Sequence, residues 1–358
     1  MPYARTRTGP LAAVDMVPLY RSQLEACRLR PDETCLILTD TAYDPAAASA
    51  CLRAALDLGA TAVVTTLPTD QPFPGAYLAA AFRSSDLVVV LTPHRAHYDP
   101  HLRAALDAGG RALMAVQPPH VLRRLPADAA VIERTKAGAA RLARAETLTI
   151  TSPHGTDLRM RVAGRPALAH YGAADEPGHF DFWGGAMVEI APLEGTVEGT
   201  LVLARGDQVF HLGRFVDDSV RLTVTGGHVA AIEGGLDATL LRRYLHDHRD
   251  PNAFRVGHVA WGTDHRARWT AQLVQFPDAG AGNADAEGYL GSVQVELGCN
   301  DDQYFRGTIR SAVHLGLCLL DASLALDDET VIEAGRFVGS LAGCQPRGGE
   351  GPSLKLSR

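Results

Sequence analysis

Four short apolar runs rich in β-branched residues lie in the first third of the chain and constrain its fold most strongly. Such runs, without polar alternation, are typical of parallel strands buried on both faces. Two helix-like stretches between them begin with Pro and end with Gly, as helix termini often do. The pattern predicts a doubly wound parallel sheet with strands at 34–40, 61–67, 86–92 and 111–117, and helices at 45–59 and 99–110.

The strand pattern changes near Glu146. Short segments with alternating polarity follow, separated by Gly, Asp and Pro, and this is typical of antiparallel strands. We therefore predict an α/β domain at 1–146 and a β-rich, mainly antiparallel α+β domain at 147–344 that carries the chemistry. A helix is predicted at 236–248, a mobile loop at 277–288 and a disordered tail at 345–358.

The composition limits location and partners. No apolar run approaches the roughly 18 residues that span a bilayer, and the N-terminus lacks the apolar stretch of a signal peptide, so a cytoplasmic location without membrane contact is expected. A net charge of -7 without a Lys/Arg block argues against nucleic-acid binding. A small-molecule substrate is the partner that remains favoured.

Cysteine and glycine spacing limits cofactors. The six cysteines contain no CxxC pair, which favours reduced thiols, most of them in the core. Neither GxGxxG nor GxxxxGK[ST] opens a helix in the first domain, so no nucleotide cofactor is predicted.

Several motifs occur in an order that resembles one enzyme family. They are HGTDLRMRVAGR (154–165), the Gly-rich segment at 178–203, VGHVAWGTD (256–264) and the segment at 313–337, with further similarity at 97–119. This order resembles the family that holds the aminopeptidase T metallopeptidases and the iron-dependent 2,5-dihydroxypyridine 5,6-dioxygenases. The resemblance covers nearly the whole chain.

The peptidase branch implies two metal-binding Glu residues that this chain lacks. Ala186 and His258 stand at those positions. A pair of metal ions in a hydrolase needs carboxylates to bridge and offset its charge. A two-metal hydrolase is therefore the second hypothesis.

The dioxygenase branch implies one Fe(II) held by two His and one Asp. His258 and His314 stand at the two His positions, and Gly316 stands at the Asp position. Two imidazoles and one carboxylate leave coordination positions open for substrate and oxygen, which suits non-haem Fe(II) oxygenases. The resemblance thus implies Fe(II), with another divalent metal or none as alternatives, and restoring the pattern with Gly316→Asp is expected to tighten iron binding.

The third ligand is left open by Gly316. A nearby carboxylate, Glu296 or Asp301, is one candidate, and Cys318, which shares a strand face with His314, is another. Water or substrate can also complete a two-His site. We choose Glu296 as the expected third metal ligand.

Four further residues are candidates for catalysis. The resemblance implies a role for His97, although Asp99-Pro100 beside it predicts a helix start that would explain it equally. Phe182 stands at another family His position, and His179 lies three residues earlier. Tyr304 and Arg310 precede His314 and are candidates for binding an anionic substrate.

Three functions follow from these residues. The first is a mononuclear metal enzyme that resembles ring-cleaving dioxygenases and acts on a small, polar, aromatic or heterocyclic substrate. The second is the aminopeptidase T-like hydrolase. The third is a metal-free relative that uses its His cluster for acid/base work or only for binding. By the same resemblance, we expect a homo-oligomer, most simply a dimer.

Overall fold

The computed structural model describes residues 10–69, 75–92, 99–270, 284–301 and 304–346. Its α-helices are α1 (Pro10–Ala26), α2 (Pro45–Asp57), α3 (Gly75–Arg83), α4 (Pro100–Asp107), α5 (Pro119–Arg124), α6 (Ala129–Leu142), α7 (Leu236–Asp247) and α8 (Ala284–Glu287). Short 3₁₀ helices lie at Phe210–Leu212, Pro251–Phe254 and Gly339–Cys344.

The strands of the first half are β1 (Thr34–Asp40), β2 (Thr61–Leu67), β3 (Leu87–Val90), β4 (Arg111–Met114), β5 (Thr147–Thr151), β6 (Asp157–Arg161), β7 (Leu168–His170) and β8 (Phe180–Phe182). Those that follow are β9 (Met187–Ile190), β10 (Glu198–Leu203), β11 (Gln208–Val209), β12 (Arg214–Phe215), β13 (Val220–Thr225) and β14 (His228–Gly234). The last are β15 (Val256–Gly262), β16 (Val293–Gly298), β17 (His314–Leu319), β18 (Ser323–Leu326), β19 (Glu329–Glu333) and β20 (Arg336–Phe337).

The first unit is built on the predicted parallel sheet. Its strand order is β2-β1-β3-β4-β8, and every adjacent pair runs parallel. Helices α2 and α4 begin as the sequence indicates, since Asp44 and Asp99 each cap the helix by accepting a hydrogen bond from a backbone N–H in its first turn. This confirms the doubly wound α/β character of the N-terminal half.

Two details of this sheet differ from the prediction. Strand β2 is an edge strand whose residues alternate between buried and exposed, so Val63 is not covered on both faces. Strand β8, which the sequence assigned to the β-rich domain, pairs parallel with β4. Three residues are too few to show a strand period, so the sequence pattern had no signal for this placement.

The second unit contains two antiparallel sheets. One has the order β14-β13-β10-β6-β5-β18-β19-β20, and the other has the order β12-β11-β17-β16-β15-β9-β7. Apolar side chains of both sheets share one core with helices α6 and α7, among them Leu142, Leu158, Leu222, Leu241 and Val295. This confirms the β-rich, mainly antiparallel second half.

Contacts divide the described chain at other points than Glu146. One compact unit holds the residues up to Ala127 and the segment Tyr171–Gly184, and the other holds Asp128–His170 and the residues from Gly185 onward. Helix α6 belongs to the second unit because it packs against β7 and β9, and Gly138 allows Val188 and Trp261 to approach its backbone. The limits of independently folding domains, 1–146 and 147–344, remain a prediction.

The predicted loop, the predicted tail, the cysteines and the membrane prediction can each be compared with the described residues. The predicted loop at 277–288 contains helix α8 in its described part, and the rest lies outside the described residues. Of the predicted tail, only Gln345 and Pro346 are described. All six cysteines are free thiols, five of them buried. No helix among the described residues is long and apolar enough to cross a membrane.

Candidate metal centre

Three adjacent strands of the second unit carry the candidate site. Strand β16 lies between β15 and β17, and its Glu296 is paired with His258 on one side and with Gly316 on the other. Directly paired residues of antiparallel strands point to the same face, with Cβ atoms roughly 4.5–5.5 Å apart. His314 lies two residues before Gly316 and therefore shares that face.

This pairing brings the three predicted metal ligands together. His258, Glu296 and His314 each offer one ligand atom, and these atoms lie within 4.8 Å of one another. An ion with bonds of about 2.0–2.2 Å holds opposite ligand atoms up to roughly 4.4 Å apart. Small side-chain movements would therefore suffice for all three groups to share one ion.

The polar atoms of this cluster are poorly satisfied by the protein itself. Nδ1 of His258 and Oε2 of Glu296 are buried without a hydrogen-bond partner among the described residues. The Nε2 atom of His314 lies 4.0 Å from Oε2 of Glu296. Buried polar atoms are rarely left unpaired, so these two atoms indicate a ligand that the protein's own groups do not replace. The two nitrogens and one oxygen fit a divalent metal ion.

Burial sets the protonation of these groups. It lowers the pKa of His258 to about 4, although the neighbouring Glu189 carboxylate acts in the opposite direction. His258 is therefore neutral near pH 7 and has a lone pair available for a metal. Burial, together with Glu287 and Glu189, raises the pKa of Glu296 well above its ordinary value. A bound cation would favour the ionised form of the Glu296 carboxyl group.

Gly316 explains how the carboxylate reaches the site. A Cβ atom on this residue would lie 2.8 Å from Oε1 of Glu296 and would overlap the ring of Phe210. The Glu296 carboxylate and the Phe210 ring thus fill the volume that a side chain at position 316 would need. The expectation that Gly316→Asp alone tightens iron binding is not supported by this packing, because an Asp has no room there.

Further side chains lie near His258 or near its neighbour Glu189. Glu189 on β9 lies 2.8 Å from Nε2 of His170 through Oε1 and 3.4 Å from Nε2 of His258 through Oε2. The ring of Phe305 stacks on His258 with centroids 4.4 Å apart. Burial and the charge of Glu189 raise the pKa of Glu287 to about 8.

The alternative third ligands lie elsewhere. Asp301 is ion-paired with Arg310, and their atoms are 3.2 Å apart. Cys318 is buried among Phe210, Trp269 and other apolar residues, with Sγ 3.9 Å from the carbonyl oxygen of Ala286. Neither belongs to the group of three, so the geometry favours Glu296 over both.

The predicted catalytic residues have varied positions. Arg310 has a side chain that is 89% exposed, and Tyr304 is half-buried beside Phe305 in the chain. His179 lies in the first unit, where its Nδ1 is 3.1 Å from Oη of Tyr171 and its Nε2 is 3.5 Å from Oδ2 of Asp181. His97 lies outside the described residues. Their catalytic roles remain predictions.

Sequence reasoning did not single out Glu189, His170, Phe210 or Phe305. Glu189 had a usable signal, because it is a charged residue inside the short apolar run of β9, all of whose residues are buried. His170 and Phe210 had none, since only the pairing of β7 with β9 and the position of the 3₁₀ helix at 210–212 place them. Phe305 had none either, since only its stacking on His258 marks it.

The fold and the site together define a class. An α/β unit followed by an antiparallel unit carries two imidazoles and a carboxylate on neighbouring strands, a donor set used by non-haem iron oxygenases. The family model for 2,5-dihydroxypyridine 5,6-dioxygenase matches residues 15–339. The chain therefore belongs to the 2,5-dihydroxypyridine 5,6-dioxygenase family and is an oxidoreductase, as the resemblance implied.

Individual relatives agree with this assignment. The chain is 28% identical over 348 residues to a 2,5-dihydroxypyridine 5,6-dioxygenase of Pseudomonas putida, covering 92% of this chain and 97% of that one. The solved structure of 2,5-dihydroxypyridine dioxygenase from Pseudomonas putida has a TM-score of 0.86 and covers 92% and 99% of the two chains. AmpT from Thermus thermophilus is 15% identical, with a TM-score of 0.62 and coverage of 91% and 99%. The AmpT match shows the shared fold alone.

Proposed function

We propose that this protein is an Fe(II)-dependent dioxygenase that opens the ring of a small dihydroxylated aromatic or N-heteroaromatic substrate, with 2,5-dihydroxypyridine as the first candidate. The observation that carries the proposal is the group formed by His258, Glu296 and His314, whose ligand atoms lie within 4.8 Å of one another. The substrate class comes from the name of the Pseudomonas putida relative. The rings of Phe305, which stacks on His258, and of Phe210, which fills the space beside Gly316, are compatible with the binding of a flat aromatic substrate.

His258, His314 and Glu296 would hold the metal. Fe(II) bound there would supply Lewis acidity, redox chemistry and open positions for the substrate and for oxygen. His258 is neutral near pH 7 because burial lowers its pKa, so it binds without first releasing a proton. Its ring is held against Phe305, which restricts rotation and keeps the ligand atom in place.

Access to the site is supported by the exposure of His314. Its side chain is 28% exposed, whereas those of His258 and Glu296 are 4% and 5% exposed. A small molecule can therefore approach the group from the side of His314, while the other two ligands stay shielded from water. Burial of the remaining ligands strengthens electrostatic interactions there.

Oxygen uptake provides the direct test. Protein loaded anaerobically with Fe(II) is mixed with 2,5-dihydroxypyridine and ¹⁸O₂, and the product is analysed by mass spectrometry. We expect cleavage of one ring bond with both oxygen atoms of one O₂ in the product, and loss of this activity in His314→Ala. A product that lacks ¹⁸O, or full activity in His314→Ala, would contradict the proposal.

Metal titration and chelator treatment in the same assay separate the other two functions. A two-metal hydrolase would require two equivalents of metal for activity and would act without oxygen. A metal-free enzyme would keep its activity after treatment with a chelator. Arg310, Tyr304, His179 and His97 remain candidates for substrate binding or proton transfer, and substitutions that raise KM or lower kcat without changing the iron content would support those roles.

A further inference from the structure

A second buried carboxylate lies next to His258 and is not part of the group of three. Glu189 is on β9, which lies between β7 and β15 in the same sheet. Its paired residue on β15 is Ala260, two positions after His258, so Glu189 and His258 point to the same face. The relative exposures of Glu189, His170 and His258 are only 5%, 5% and 3%.

The two oxygens of Glu189 face two imidazoles. Oε1 lies 2.8 Å from Nε2 of His170, and Oε2 lies 3.4 Å from Nε2 of His258. A carboxylate oxygen accepts hydrogen bonds. Each oxygen of Glu189 therefore offers an acceptor to a proton on the ring nitrogen that faces it.

This arrangement selects one tautomer of His258. A neutral imidazole has a single N–H, and a proton on Nε2 can be donated to Glu189. A proton on Nδ1 would have no acceptor, since that atom has no hydrogen-bond partner among the described residues. The lone pair of the imidazole is then on Nδ1, where it can coordinate a metal ion.

We propose that Glu189 is a positioning residue that fixes the Nε2–H tautomer of His258 and presents Nδ1 to the metal, with His170 fixing Glu189 in turn. The proposal rests on the metal centre described under the proposed function. Carboxylates that accept the second N–H of a ligating His orient its ring and increase its basicity, and their loss typically weakens metal binding by about 10–100-fold.

The tautomer of His258 can be measured without any metal. Long-range ¹H–¹⁵N correlation spectra of the metal-free protein at pH 7 report which ring nitrogen is protonated, and the signals of His258 are assigned by their loss in His258→Gln. We expect the Nε2–H form in the wild type. Observation of the Nδ1–H form would overturn the proposal.

Metal affinity supplies the second measurement. Competition with a coloured chelator gives the Kd for Fe(II) in the wild type, Glu189→Gln, His170→Gln and the control Glu194→Gln. Glu194 is a half-buried carboxylate of the same unit that is ion-paired with Arg165. We expect Kd to rise about 10–100-fold in Glu189→Gln, to rise less in His170→Gln and to stay unchanged in Glu194→Gln.

The outcomes distinguish the two proposals. A wild-type Kd that is measurable and unchanged in Glu189→Gln would overturn the positioning role while leaving the metal centre intact. A wild type that binds no Fe(II) would instead overturn the proposed function. If Glu189→Gln does not fold, an Nδ1–H form of His258 in the wild type still overturns the proposal, and the Kd in His170→Gln still tests the chain of contacts.

Discussion

Oε1 of Glu296 lies 2.8 Å from the position that a Cβ atom on Gly316 would occupy. The two residues are directly paired across β16 and β17. The resemblance placed an Asp of the dioxygenase branch at position 316, and in this chain the Glu296 carboxylate of the adjacent strand lies beside that position. We propose that Glu296 takes the place of the family Asp as a metal ligand and that Gly316 leaves room for its carboxylate.

Substitution of Glu296 tests this arrangement. We expect Glu296→Gln to bind Fe(II) at least about 10-fold more weakly, since the amide lacks the negative charge that a divalent cation favours. The matched control is Glu287→Gln, which replaces a neighbouring carboxyl group outside the group of three. Iron content measured after gel filtration should fall in the first variant and persist in the second, and equal iron content in both would count against Glu296 as a ligand.

A side chain introduced at position 316 should lower the stability of the fold through steric overlap. We expect Gly316→Asp to lower the free energy of unfolding by about 1–3 kcal/mol, because the new Cβ overlaps Phe210. Gly316→Asp should cost less free energy of unfolding when it is introduced into a Phe210→Ala background than into the wild type. Urea denaturation of both variants checks the prediction, and a Gly316→Asp protein as stable as the wild type would show that the space is available.

Asp207 should make stability depend on pH. Burial raises the pKa of this carboxyl from 3.8 to about 7, although backbone N–H groups of Leu320 and Ala204 donate to it. The folded state therefore holds a proton that the unfolded state releases, so stability is full below about pH 4 and falls as pH rises through about 7. The size of the effect is on the order of 4 kcal/mol for this group alone.

Asp207→Asn removes that titration. In urea denaturation between pH 4 and pH 8, the decrease in the free energy of unfolding should be smaller in Asp207→Asn than in the wild type. The reference variant is Asp217→Asn, which changes an exposed Asp in the same unit. Parallel curves for the wild type and Asp207→Asn would contradict a raised pKa at this position.

The oligomeric state is a separate prediction. We expect a closed homo-oligomer, most simply a dimer, because symmetric assemblies are the usual state of such enzymes. Light scattering at micromolar concentrations should give about twice the mass of the 38.1 kDa chain. A mass equal to that of one chain would show that the monomer is the stable form.

Much of the fold was accessible from the sequence because local patterns determine it. Continuous apolar runs identified β1, β3 and β4, and alternation identified the antiparallel second half. The position of β8 was not accessible, because a three-residue strand has no measurable period and its partner β4 is more than 60 residues away. The assignment of helix α6 to the second unit was not predictable from local patterns either, because only its packing against β7 and β9 shows it.

The candidate site was accessible in part. The resemblance indicated His258 and His314, and proximity along the chain suggested Glu296. Their arrangement depends on strand register, which pairs Glu296 with both His258 and Gly316. No local pattern encodes register, so the relation of Glu189 to His258 and the overlap of Phe210 with position 316 required the folded chain.

The iron content of protein purified without oxygen tests the central claim most directly. The wild type, His258→Ala and His314→Ala are isolated anaerobically from cells supplemented with iron, and their metals are quantified by elemental analysis. A single site built by His258, Glu296 and His314 predicts about one iron per wild-type chain and much less in either variant. A wild type without metal, or with iron that both variants retain, would contradict the assignment of these residues as the metal centre.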